Sequence, residues 1–322
     1  MKRVDVEQAA KTLHEGGLVA MPTETVYGLG ANAGDARAVA QIFAVKGRPT
    51  NHPLIVHVAD VAALDAWARE VPPSARRLAE LFMPGPLTLV LPKRSDVLSD
   101  VTGGLDSVGL RVPSHPVALA LLRSFAALKG GRAGVAAPSA NRFGSVSPTC
   151  AEHVEADLQG EDVALLDGGP CEVGVESTIV DCTRADGPRL LRLGGVPRED
   201  IEAALGGPVP LANRGEVRAP GTLASHYAPR ARLVACAPED VAESVAEAQR
   251  QGLRVGVWAD VAPPGVEAFV QANVEPHLRA RALYDVLRRL DASVDVIVVS
   301  LPKSAGVGEA IIDRLGRASA PR

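Results

Sequence analysis

Lys46 and Arg48 flank a glycine in the run Lys-Gly-Arg-Pro, and of all residues here this pair best suits charge chemistry. An ammonium and a planar guanidinium so close match the charge and fork geometry that a triphosphate requires. The same cations could instead favour the C-terminal end of a helix, worth about a few tenths of a kcal/mol. On this motif alone both readings stand. Arg111 lies inside an apolar strand pattern, Val108–Val112. It is either an edge-strand arginine facing water or a clamp for a substrate carboxylate, because charges in apolar strands are rarely buried without a partner. The loop Thr23, Glu24, Thr25 and Tyr27 offers hydroxyls beside Gly28, Gly30 and Gly34, a glycine-rich turn that is structural or lines a small molecule. Its G-x-G-x-x-x-G spacing is one residue longer than the dinucleotide fingerprint.

Three further stretches carry polar groups at apolar borders. Ala137–Gly144 presents Ser139 and Asn141 among small residues that let backbone approach a ligand. Ser147 and Thr149 follow, as ligand contacts or as a helix N-cap. Ser177 and Thr178 open a strand and read equally as ordinary strand hydroxyls. His57, on an alternating strand, is by itself a core-facing or solvent-facing imidazole.

Several mechanisms lack their motifs. No G-x-x-x-x-G-K-[ST] occurs, which removes a P-loop ATPase, and the absence of H-E-x-x-H and G-x-S-x-G weighs against a zincin or an α/β-hydrolase. The four cysteines form no C-x-x-C pair and the histidines are scattered, so no protein-held metal site is expected. A net charge of −4 and 3% aromatic residues argue against an RNA-binding module, which needs basic surface and stacking rings. The N-terminal residues read as a helix without an apolar signal region, and no apolar run would span a bilayer. A cytoplasmic protein with no membrane partner is expected.

Positioning these groups requires strands mixed with helices. Strands are predicted at 18–21, 54–58, 87–91, 108–112, 134–137, 163–166, 177–181 and 190–193. Helices fall at 74–82, 115–125 and 198–205, and Asp35 can cap another whose inner face is Val39, Ile42 and Phe43. This pattern indicates an α/β domain over residues 1–206. Residues 207–230 are rich in Gly and Pro without sustained period and read as an interdomain linker. From 231 to 322 a second β-α-β-α-β-α alternation predicts a small parallel sheet covered by helices.

Taken in order, PTETVYGLGANA, KGRPTNHPLIVH, VGLRVPSHP, APSANRFG and GVESTIVD resemble the YrdC-type threonylcarbamoyl-AMP synthase family in its long two-domain form. The resemblance runs from about Gly16 to Leu205 and continues through APGTLASHYAP in the linker. It implies a twisted mixed sheet with helices, plus a smaller Rossmann-like parallel α/β C-terminal domain. It also implies a nucleotidyltransferase that joins L-threonine, bicarbonate and ATP into threonylcarbamoyl-AMP and pyrophosphate, with magnesium on the nucleotide. The product would pass to the tRNA threonylcarbamoyltransferase machinery for modification of an adenosine beside the anticodon; direct tRNA contact is left open.

By the same resemblance Lys46 and Arg48 hold the triphosphate and are the catalytic pair. His52, Ser107, Ser139, Asn141, Thr149 and Arg192 line the nucleotide side, with Tyr227 closing over it. Thr25, His57, Arg111 and Ser177 contact threonine, Arg111 clamping its carboxylate. The sequence departs from the commonest family pattern at His52, where Asn is frequent, at Thr222 in place of Met, and at Leu193 in place of Pro. A carbamoyl transferase of the hydrogenase-maturation type is the competing relative, and it would require a cysteine-rich zinc segment that this chain lacks. No motif marks the C-terminal domain, which leaves a regulatory role open.

Overall fold

The computed structural model describes residues 1–212, 219–221 and 227–321. Parts of the predicted linker, including Thr222, therefore lie outside the described residues. The chain divides into two compact units, one of residues 1–143, 148–172 and 176–222, the other of residues 144–147, 173–175 and 223–322.

The first unit runs β1 (Lys2–Val4), α1 (Val6–His14), β2 (Val19–Met21), β3 (Gly28–Asn32), α2 (Ala36–Lys46), β4 (Ile55–His57), α3 (Leu64–Trp67), α4 (Pro73–Phe82) and β5 (Leu87–Pro92). It continues α5 (Ser99–Thr102), β6 (Ser107–Arg111), α6 (Pro116–Lys129), β7 (Val135–Ala136), α7 (Ala151–Asp157), β8 (Ala164–Leu166), β9 (Thr178–Asp181), β10 (Arg189–Arg192) and α8 (Arg198–Leu205). The strands form one mixed sheet in the order β1-β8-β2-β3-β7-β4-β6-β5-β9-β10. Asp5 and Asp35 cap α1 and α2 by accepting backbone N–H groups, and Gln8 completes a capping box with Asp5.

Period-two alternation divides the sheet's faces. Leu54, Val56, Leu87, Leu89, Leu91, Val108, Leu110 and Val180 point into a core shared with Ile42 of α2 and Leu78 of α4. On the opposite face α1 and α6 pack Leu13, Leu121 and Phe125 against Val19, Met21 and Val135. That cluster includes no residue of β6, β5 or β9. The alternates of the core residues, Ile55, His57, Thr88, Ser107, Gly109, Arg111 and Ile179, take this second face, with His57 lining a cavity together with Leu122 and Phe125 of α6.

Two readings of the sequence change. Gly28 and Gly30 belong to a fully buried strand, not to a turn. A Cβ on Gly30 would stand 2.8 Å from Val135 Cγ1 and 3.2 Å from Val19 O, so this glycine lets neighbouring strands close rather than cradling phosphate. Arg111 is no edge residue, because β6 is hydrogen-bonded on both sides, to β4 and β5.

The second unit comprises β11 (Arg232–Cys236), α9 (Val241–Arg250), β12 (Val255–Ala259), β13 (Ala268–Gln271), α10 (Pro276–Asp291), β14 (Val296–Ser300) and α11 (Val307–Ala318). Its four strands are all parallel, in the order β11-β14-β12-β13. The expected alternation lacked β13, whose four half-buried to exposed residues give too short a signal. All four cysteines are free thiols, Cys171 and Cys182 buried.

Candidate active site

Lys46 ends α2, where Gly47 turns the backbone left-handed (φ 63°) and sends Arg48 back under the helix. The Lys46 side chain is buried and its ammonium donates to Ser139 O and Asn141 O, both at 2.5 Å. Burial, then the charge of Arg48, holds the ammonium well below the ordinary lysine value. Among the described residues Lys46 forms no ion pair; two carbonyls aim the cation, and the charge of Asp157 acts on it without a direct contact. Arg48, also buried, donates to Pro53 O at 3.2 Å and lies over the Phe143 ring. His52 meets the edge of that same ring, with centroids 5.7 Å apart.

The loop holding Ser139 and Asn141 is locked to its neighbours by backbone bonds. Ala140 N donates to Tyr27 O and Phe143 N to Lys46 O. Tyr27 anchors the hydroxyl loop from below, its phenol donating to Gly169 O at 2.8 Å. Thr23 Oγ1 and Thr25 Oγ1 stand 2.8 Å apart, and Thr23 also caps the turn by accepting from Val26 N.

A second group occupies the outward face of the sheet. Ser177 Oγ and Thr88 Oγ1 are 2.7 Å apart and fully buried. Arg192 donates from Nε and Nη2 to Ser177 O, from Nη2 to Ser177 Oγ, and from Nη1 to Pro220 O at 2.9 Å. Gly194 permits this, because a Cβ there would lie 2.3 Å from Glu176 O. Arg111 sits beside His57 across the β4–β6 register and places Nη2 2.8 Å from Glu24 Oε1. Burial and the Arg111 charge push the His57 imidazole down to about 3, so it is neutral near pH 7. Ser107 faces the same side, next to a cavity of only about 20 Å³ that Ala219 and Pro220 close. Such a volume holds roughly one water.

Lys46, Ser139 and Asn141 thus meet directly, as do Arg48 and His52 around Phe143, and Ser177 and Arg192 around Thr88. Thr149 stands apart from these contacts: its N–H donates to His153 Nδ1, and Cys150 takes the N-cap position of α7. Tyr227 belongs to the second unit, buried with its ring stacked on Tyr284 and Arg314 over its face. Thr88 and the pairing of Glu24 with Arg111 were missed by sequence reasoning. A lone threonine in the apolar run Leu87–Leu91 was the available signal for the first.

Such a face can bind an anion-rich ligand by its cations and a carboxylate by Arg111, while buried hydroxyls fix orientation. Comparison with known proteins agrees with that chemistry. A family model described as telomere recombination (Sua5, YciO and YrdC) matches residues 11–194. A second, described as the threonylcarbamoyl-AMP synthase C-terminal domain, matches residues 196–320. A threonylcarbamoyl-AMP synthase of Bacillus subtilis is 44% identical over 331 residues, covering 98% of this chain and 93% of that protein. One from Pyrococcus abyssi is 42% identical over 326 residues, covering 98% and 94%. The crystal structure of P. abyssi Sua5 complexed with L-threonine has a TM-score of 0.89 at 41% identity, again covering 98% and 94%.

Proposed function

The chain belongs to the Sua5/YciO/YrdC family in its two-domain form, that of the threonylcarbamoyl-AMP synthases, and from that premise we propose how its first unit makes the adenylate. The substrates are L-threonine, bicarbonate and ATP; the products are threonylcarbamoyl-AMP and pyrophosphate. The observation carrying this reading is the set of buried cations Lys46, Arg48, Arg111 and Arg192, fixed by backbone carbonyls or a carboxylate around buried hydroxyls.

Threonine's amine becomes a carbamate, whose oxygen attacks the α-phosphate and expels pyrophosphate. No difficult bond activation falls to the protein, so positioning and charge neutralisation dominate. Lys46 and Arg48 take the triphosphate, whose negative charge pairs with both side chains. Ser139, Asn141, Ser107, Thr149, His52 and Arg192 define the nucleotide side. Arg111 clamps the threonine carboxylate, with Thr25, His57 and Ser177 around the rest of the amino acid. His57 enters as a neutral imidazole, able to accept as well as donate a hydrogen bond.

Magnesium would arrive with the nucleotide. Lys46 and Arg48 would hold the phosphates whose oxygens carry it; among the described residues no group of three or more His, Cys, Asp or Glu side chains is placed to hold a metal ion. Bound there, it neutralises charge on the phosphate oxygens. The adenylate would pass to a tRNA threonylcarbamoyltransferase, in the cytoplasm where its substrate lies. No helix among the described residues is long and apolar enough to cross a membrane.

The test is pyrophosphate release by the purified chain with ATP and magnesium, adding threonine and bicarbonate singly and together. Release that requires both, with a new AMP adduct, is expected. Release independent of threonine would overturn the substrate assignment.

A further inference from the structure

The carboxylate of Glu24 is held in an unusual state. The residue is 3% exposed, and both of its oxygens are shielded from solvent without a hydrogen bond. Arg111 Nη2 is 2.8 Å from Oε1, yet the approach is off-axis, so the contact is an ion pair and not a hydrogen bond. A buried carboxylate normally accepts hydrogen bonds on both oxygens, and leaving them unmade costs several kcal/mol. Arg111 is equally underused: its one hydrogen bond among the described residues runs from Nε to Gly85 O. The residue is 4% exposed. Cation and anion lie side by side with donor and acceptor capacity to spare, next to Thr25 in the chain and His57 in the sheet.

An α-amino acid carries the complementary pair, a carboxylate and an ammonium on one carbon. With the carboxylate on Arg111, the buried Glu24 carboxylate stands beside the ammonium. We infer that Glu24 is a catalytic residue that binds the threonine ammonium and accepts the proton released when the amine is carbamoylated. This rests on the synthase reading above.

The step balances. Threonine's ammonium and bicarbonate give the carbamate, one water and one proton. The N–C bond forms, and the bicarbonate C–OH bond breaks. Its hydroxyl leaves as water with one ammonium proton, and the other goes to the Glu24 carboxylate. Glu24 returns that proton to solvent before the next turnover. The groups around it are the Arg111 guanidinium, the neutral His57, and the Cys171 thiol, which burial pushes up and leaves protonated.

The experiment uses the full chain, Glu24→Gln and two ligands, L-threonine and 2,3-dihydroxybutanoate, which carries a hydroxyl where threonine has its amine. Calorimetry on both proteins is expected to show threonine affinity falling at least about 30-fold in E24Q, as for a buried charge pair that loses one partner. Affinity for the hydroxy acid should stay within about threefold, and kcat for threonine-dependent pyrophosphate release should drop about 100-fold or more with the ATP KM unchanged. An equal loss for both ligands would mean that Glu24 only holds Arg111 in place, and no loss for either would mean that it contacts nothing; each overturns the inference. If E24Q does not fold, Glu24→Asp decides: a retained preference for threonine over the hydroxy acid supports the ammonium contact, and a vanished preference overturns it. A wild-type chain that binds threonine but forms no adduct would sink the synthase reading, while the binding arms still decide the role of Glu24.

Discussion

Strand β6 of the large sheet and strand β14 of the small one are both five residues long and hydrogen-bonded on both sides, yet only β14 is buried at every position. β14 reads Val-Ile-Val-Val-Ser. Val296 and Val298 pack in the cluster that α9 closes with Val241 and Val245. The alternate residues face the side of α10, where a Cβ on Gly256 would meet Leu290 Cδ2 at 3.2 Å. β6 reads Ser-Val-Gly-Leu-Arg. Its apolar residues enter the core while Ser107, Gly109 and Arg111 point the other way. Helices on both faces force a continuous apolar run, whereas the second face of β6, outside the cluster that α1 and α6 close, can be spent on chemistry.

Buried cations in the two units show the same contrast. In the second unit Arg314 pairs with Asp313 at 2.6 Å and covers the Tyr227 ring, and Arg279 donates to Ser300 and stacks on Trp258. These cations act as mortar between elements. In the first unit, among the described residues, Lys46 donates to two carbonyls and Arg111 meets a carboxylate that is itself short of donors. Among these residues unfinished polar pairing is densest around Glu24, His57 and Arg111, where a ligand can complete the set, although Arg279 Nε of the second unit also lacks a partner.

The sharpest way to break this contrast is Lys46→Ala. Synthesis should fall by about 10²–10³-fold or more, as when one transition-state donor is removed, while circular dichroism stays native. Near-normal turnover would show that the cation is structural. Next in size, Leu110→Ala changes the neighbour of Arg111 that points into the core. It should cost about 2–5 kcal/mol of stability in denaturant titrations and leave kcat at low temperature nearly intact. Were kcat to collapse with the protein still folded, the two faces of β6 would not be separable.

Arg192→Lys removes the planar fork that spans Ser177 and Pro220 and should reduce kcat/KM by roughly tenfold, since an ammonium cannot keep both partners. His57→Asn tests the desolvated imidazole through pH. Its folded value near 3 lies below the ordinary 6.5, so the unfolded state binds the extra proton. Its contribution to stability is present above about 6.5 and is lost as pH falls toward 3, at up to about 1.4 kcal/mol per pH unit. The variant should flatten the wild-type slope in that window, measured by urea titration at several pH values. Smallest is Arg254→Ala, which removes an exposed pair with Asp295 and should move the melting temperature by no more than about 2 °C. A larger shift would mean that the surface of the second unit shares the burden carried by its core.

Much of this arrangement was legible in the residues themselves. Helix α8 falls on its predicted span, and eight strands of the first unit lie within about two residues of theirs, because β-branched runs between Gly and Pro have few other uses. β3 escaped notice because its glycines read as a turn, although the strand needs them for close packing. β1 and β13 are too short for their periodicity to register. In the site, Lys46, Arg48, Arg111 and Ser177 stood out as polar groups in apolar or glycine-bordered settings. Thr88 did not, since one hydroxyl in a strand is commonplace until a partner is placed against it.

From sequence alone came the two α/β units, the ordered motifs and the residue types for a triphosphate and a carboxylate, since periodicity, capping and local chemistry are written over a few neighbouring positions. Only the tertiary structure decided that Thr88 meets Ser177 across 89 residues of chain, that β6 lies inside the sheet, and that Glu24 is the anion facing Arg111. The physical reason is strand order. Which strands become neighbours is settled by burying the whole apolar set at once, and no local pattern records that outcome.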